Sequence, residues 1–216
     1  MDHARPLPSF LIRRYHAWRA TDFAENHSWY ARLAEEGQRP RAMIIACCDS
    51  RVHIPSIFGA ESGEFFIHRN IANLVPPYEQ DGGHHGTSAA VEYAVTALHV
   101  AHIVVMGHSQ CGGVQGYLDM ADGKAPDLAA ETSFVGRWMA LLEPGAEGMA
   151  GDGAPDARRE AMEKATVVTS LRNLMGFPFV RDAVLADNLS LHGIWHDIAR
   201  GGLEVYDPAS GGFQPV

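Results

Sequence analysis

Residues 102–113 read HIVVMGHSQCGG, and the punctuation of this stretch decides the fold. An apolar, β-branched run over 102–107 ends in Gly107. His108 and Cys111 follow at a spacing of three, and Gly112 and Gly113 open a helix toward Met120. A strand that feeds a helix through a glycine turn is the unit of an α/β sheet. AMIIAC at 42–47 reads as a buried strand, and EFFIHRN at 64–70 as another. Thr87 or Ser88 caps a helix running to about His99, with Ala90, Val91, Ala94, Val95 and Leu98 on its apolar face. A further helix covers roughly 156–175. LSLHGIWHD and LEVYD then alternate around Gly201-Gly202 as a final hairpin. The expected fold class is α/β: a mainly parallel sheet flanked by helices, with an N-terminal helical arm and a C-terminal strand hairpin.

Residues 1–216 are read as one domain. The arm, within 1–36, is helical in two pieces that break near Asn26. Leu11, Tyr15 and Trp18 recur at helical spacing, and Trp29 and Leu33 continue the theme. A surface this aromatic must lie against its own core or a partner subunit, and a partner is expected. The stretch PGAEGMAGDGAP at 144–155 reads as a flexible surface loop.

A net charge of −9 argues against a nucleic-acid partner, because a phosphate backbone needs a basic face. Three cysteines, two of them adjacent, do not make a disulfide framework and point to the cytoplasm. No apolar run of membrane-spanning length occurs, and Arg5, Arg13 and Arg14 are not followed by the apolar stretch of a signal peptide.

Two chemistries compete at 107–113. Gly107-His108-Ser109-Gln110-Cys111 approximates a serine-hydrolase elbow, with Asp187 and His192 or His196 as nominal partners, but cysteine replaces the closing glycine. The rival reading joins His108 and Cys111 to ACCDSRV at 46–52, which also ends a strand. Strand carboxyl ends are where open α/β sheets bind ligands. Two thiolates and an imidazole with one vacant position form a catalytic zinc set. If strand alternation continues past Cys47, then Cys47, Asp49 and Arg51 share one side, and Cys48 turns away as a small buried apolar residue.

Cys47-x-Asp49-x-Arg51 and His108-x-x-Cys111-Gly112-Gly113, together with HRNIANLVPP at 68–77, SAAVEYAV at 88–95 and the tail segments, resemble the β-class carbonic anhydrases of the plant-like branch. The resemblance implies one Zn2+ per subunit on Cys47, His108 and Cys111, with Asp49 paired to Arg51 as the catalytic pair. It implies a substrate pocket with Gln38, Phe66 and Tyr93, part of it from a neighbouring subunit of a homodimer or larger homo-oligomer. Ile44 and Ala46 stand where the bicarbonate-regulated branch tends to carry Trp and Gly, so that regulation is not expected.

The expected reaction is reversible hydration of CO2 to bicarbonate and a proton. Asp49 accepts a hydrogen bond and orients the attacking oxygen, since a carboxylate near pKa 4 is a poor base at neutral pH. Arg51 holds Asp49 off the metal through a forked pair. Gln38 donates to a substrate oxygen, Phe66 and Tyr93 wall an apolar pocket, and Gly112 offers an N–H at a helix start. His84 and His85 are candidate proton shuttles, whereas His99 and His102 read as solvated, Glu61 and Glu64 as surface, and Arg69 as structural. The alternatives are a zinc hydrolase of CS2 or COS and a non-catalytic zinc or thiol-sensing module that would use Cys48.

Overall fold

The computed structural model describes residues 3–80, 85–146 and 154–216. The chain divides into two compact units, Met1–Arg39 and Pro40–Val216. The first is helical, over Ser9–Ala20, a single turn at Asp22–Glu25, and His27–Glu36. The chain breaks at Asn26, as expected, and also at Thr21. No residue of these helices is buried. They are tied by their own rings: Phe23 stacks on Tyr30, and Trp18 Nε1 and Tyr30 Oη both donate to Asp22 Oδ2. Phe10, Tyr15 and Trp18 remain exposed.

The second unit is built on a sheet of six strands: β1 (Ala42–Cys47), β2 (Phe65–Asn70), β3 (His102–His108), β4 (Ser190–His196), β5 (Leu203–Asp207) and β6 (Gly212–Pro215). Their order is β2-β1-β3-β4-β5-β6. The first four are mutually parallel, and β5 and β6 add antiparallel. The expected hairpin is β4–β5. β6 escaped the sequence reading because GFQP is short, carries proline and does not alternate.

β1 is buried at every position, as its unbroken apolar sequence requires for a strand covered on both faces. Met43, Ile45, Ile103 and Val105 pack on one side with Val167, Leu174 and Val180. Ala42, Ile44, Ala46, Met106 and Ile194 pack on the other with Val52 and Ile54. The Pro155–Leu174 helix begins one residue before its expected start and buries Met162, Thr166, Val167, Thr169, Ser170 and Leu174 along one stripe. The expected helix from Thr87 toward His99 is an α-helix only over Gly86–Glu92 and continues as a wider π-turn over Tyr93–Ala97. Of the expected 144–155 loop, residues up to Ala146 belong to a short helix and 147–153 lie outside the described residues. Among the described residues no helix is long and apolar enough to cross a membrane.

The strand order positions the site. β1 has β2 on one side and β3 on the other, so the chain departs from β1 in opposite directions and leaves a crevice at the carboxyl ends of β1 and β3. Cys47 is the last residue of β1, and His108 the last of β3.

Gly193 in β4 shows how closely the long helix lies on the sheet. A Cβ there would stand 2.7 Å from Val167 Cγ1, 2.8 Å from Leu171 Cδ1 and 3.2 Å from Tyr206 Cβ. Gly193→Ala should destabilise the fold by about 1–3 kcal/mol through overpacking. Urea unfolding checks this, with a lower midpoint at unchanged slope.

Candidate metal centre

Cys47, His108 and Cys111 converge. Their ligand atoms lie within 4.8 Å of one another, and all three residues are buried. Cys47 Sγ and Cys111 Sγ are 3.9 Å apart. Two sulfurs bound tetrahedrally to one zinc at about 2.3 Å would stand about 3.8 Å apart. Ser109 O accepts from His108 Nδ1, 2.9 Å away, which leaves Nε2 as the bare lone pair. His108 Nε2 is the only buried side-chain nitrogen or oxygen among the described residues without a hydrogen-bond partner. A metal satisfies that atom. The hydrogen bond from Cys111 pulls the Cys47 thiol down to about 4 against the effect of burial, and the same bond pushes Cys111 up. Two dry thiols this close resist ionising together, and a divalent cation removes that conflict.

The surroundings fix these atoms. Ala72 N–H donates to Cys47 Sγ at 3.4 Å. Ala72 reaches that place in a left-handed conformation, φ 62, held by its buried neighbour Asn73, which bonds Thr166 Oγ1 and accepts from Ser170 Oγ. Cys111 occupies the N-cap position of the Gly112–Ala121 helix, and the Val114 and Gly113 amides oppose the rise that Cys47 and burial impose on its thiol. Gly113 is a close approach, since a Cβ there would lie 2.6 Å from Ile71 Cγ2. Gly112 is exposed at the first turn, with open space around it.

Asp49 and Arg51 meet as the spacing requires, but by a different route. The chain turns after Cys47 instead of staying extended, with Val52 N–H donating to Asp49 O. Arg51 Nε donates to Asp49 Oδ1 at 2.9 Å, Arg51 Nη2 to Oδ2 at 2.6 Å, and Arg51 N–H to Oδ1. This fork holds Asp49 well below the usual carboxylate range. Arg51 Nη2 also reaches Gln110 O, presented by a left-handed Gln110 at φ 58. Arg69 donates to the carbonyls of Cys47, Asp49 and Val52 and staples the turn, the structural role read for it.

The turn corrects the reading of Cys48, which is exposed and not buried. Alternation stops at Cys47, so the next side chain follows the turn outward. Ser109 gains nothing as a nucleophile, for its Oγ accepts from Ile198 N–H. Phe66 and Tyr93 do meet, with ring centroids 5.9 Å apart. Phe66 pairs with Met43, four residues below Cys47, about 13 Å along the strand. The pair therefore lies away from this chain's own donor atoms, and Tyr93 is exposed. Gln38 is exposed in the first unit. His85 lines a largely apolar groove of about 640 Å3 with Asn70, Ile71, Phe134 and Trp138, and His84 lies outside the described residues.

The carbonic anhydrase family model matches residues 42–203, and β carbonic anhydrase 3 of Arabidopsis thaliana is 36% identical over 194 residues, 88% of this chain and 73% of that relative. This chain belongs to the β-carbonic anhydrases. The chloroplastic β carbonic anhydrase 5 of the same plant is also 36% identical, over 190 residues, and this chain spans 60% of its length. The solved β-carbonic anhydrase CcaA superposes with a TM-score of 0.88 at 30% identity, covering 96% of this chain and 91% of its own. One of two tetrameric β-carbonic anhydrases of Sordaria macrospora gives 0.78 at 31%, covering 91% and 95%. β-Carbonic anhydrases are zinc lyases, and the Cys47–His108–Cys111 group is a fit for their metal.

One residue at this β-carbonic anhydrase centre gave no sequence signal. Glu163 is 2% exposed, accepts Cys111 N–H at Oε1 and Trp195 Nε1–H at Oε2, and lies 3.7 Å from Arg159 Nε. In sequence it is one acid in a charged helix. Burial raises its pKa, and the bonds from Cys111 and Trp195 oppose that. A glutamine there would turn an amide donor on Cys111 N–H or Trp195 Nε1–H. Glu163→Gln should loosen the cysteine ligand and weaken zinc binding by about 10–100-fold. Zinc release to a chromogenic chelator measures it.

Proposed function

We propose that this chain catalyses reversible hydration of CO2 to bicarbonate and a proton, with zinc on Cys47, His108 and Cys111. The observation that carries the reading is a buried donor set of three members, with the nearby carboxylate of Asp49 turned onto Arg51. Three protein donors leave a fourth position for a reactant, the mark of a catalytic site. When bound, zinc supplies Lewis-acid activation of water for attack on CO2, and two thiolates that cancel its charge place that activation above neutrality.

Asp49, kept ionised by Arg51, accepts a hydrogen bond from the attacking water and aims its oxygen at CO2. Arg51 fixes that carboxylate and keeps it from turning toward the donor atoms, which lie within electrostatic reach of both residues. Gly112 N–H, at an exposed helix start, suits a bicarbonate oxygen. Ile71, partly exposed beside Ala72, adds an apolar wall that the sequence reading did not single out. Gln38, Phe66 and Tyr93 serve the site of a second copy. The distance of the ring pair from its own donors and the exposure of Tyr93 support this, as does the unburied aromatic arm. The assembly is a homo-oligomer of at least two chains. Free thiols favour a reducing compartment such as the cytoplasm.

Zinc content and CO2 hydration by the purified protein test the reading. Arg51→Ala should keep zinc and lose turnover by about a hundredfold, because a misoriented neighbour is enough for that. Normal turnover with full zinc rules the role out. For the unaltered enzyme, hydration should accelerate between about pH 7 and about pH 9, and a level stopped-flow profile contradicts the charge argument.

A further inference from the structure

At the opposite end of β3 from His108, His102 opens the strand and faces β4. His102 pairs in register with Ser190, and His192 stands two residues further along the same face. His102 Nδ1 is 2.7 Å from Ser190 Oγ, Ser190 Oγ is 2.9 Å from His192 Nε2, and the two ring nitrogens are 3.4 Å apart. Both histidines are exposed, which agrees with the solvated reading of His102, and His192 lies far along β4 from Ser109, its nominal hydrolase partner.

We infer that His102 and His192, with the Ser190 hydroxyl beside them, form a second divalent-metal site suited to zinc. Two imidazole nitrogens on one tetrahedral zinc at about 2.05 Å stand about 3.3 Å apart, close to the separation found. The two nitrogens share one hydroxyl, which has a single hydrogen to give and also lies 3.4 Å from Ala101 O, so the rings and the carbonyl compete for it. Directing both lone pairs at one cation resolves that competition. The frame is rigid, because buried Ile103, Gly193 and Ile194 lock the β3–β4 register around the pair. Partial desolvation and the neighbouring His102 also lower the pKa of His192, which favours the neutral, ligating ring.

The site differs in kind from the Cys47–His108–Cys111 centre, which is the only group of three or more His, Cys, Asp or Glu ligands among the described residues. Two exposed imidazoles completed by water hold an exchangeable ion. That ion would clamp β3 to β4 about 20 Å from His108 along the strand, and would stabilise the folded chain by mass action.

Equilibrium dialysis of the zinc-loaded protein against micromolar zinc chloride tests it, beside His102→Ala and His192→Ala variants checked for folding by circular dichroism. The expected result is two zinc ions per chain in the unaltered protein and one in each variant. CO2 hydration should be retained in both variants, and added zinc should raise the unfolding temperature only where both histidines are present. One ion per chain in the unaltered protein overturns the proposal, as does a second ion that survives either substitution.

Discussion

The thiols of Cys47 and Cys111 meet 3.9 Å apart in an apolar cluster with Ala72, Leu74, Val114, Leu118, Met139 and Met162. Ionising both without a cation is unfavourable at this separation and dryness. The surroundings answer with oriented N–H groups: Ala72 at Cys47, and Gly113 and Val114 at Cys111. Each depends on a backbone decision elsewhere. Ala72 needs its left-handed φ and the clamp from Thr166 and Ser170, and the helix start needs Gly113 to sit against Ile71. The Pro155–Leu174 helix is therefore part of the metal centre. It supplies the clamp and also Glu163, which accepts from Cys111 N–H.

The parts of this arrangement legible in the sequence were those that local rules dictate. The strands at 42–47 and 102–108 announce themselves by β-branched runs closed by chemistry-bearing residues, and parallel order brings their ends together. The donor set followed from that. Asp49 and Arg51 were paired correctly for the wrong reason: alternation does not continue past Cys47, and a turn held by Asp49 O and by Arg69 closes the fork. The same turn sends Cys48 outward. A residue just past a strand end is governed by whichever hydrogen bonds form there, and those come from a guanidinium 20 residues away in sequence.

What stayed illegible depends on tertiary contact alone. Glu163 lies among Arg158, Arg159, Glu160 and Lys164, and its neighbours give no sign that it alone is buried. Ala72 offers no local hint of a positive φ, since alanine has no preference for that region. Phe66 and Tyr93 are aromatic neighbours in a single chain, but strand register places them low on the sheet. Leu11, Tyr15 and Trp18 recur at helical spacing, yet all three are exposed.

Asp49 and Arg51 form a closed fork within electrostatic reach of the three donors. A carboxylate beside two thiolates and an imidazole is itself a good ligand, and taking the last position would close the centre to substrate. In this structure the Asp49 carboxylate is engaged by Arg51. The guanidinium holds both carboxylate oxygens, with a further bond from its own backbone N–H, while its Nη2 is anchored on Gln110 O. That anchor belongs to the same 108–111 turn that presents His108 and Cys111. The Gln110 carbonyl therefore ties the Asp49–Arg51 fork to the turn that carries two of the three donor residues.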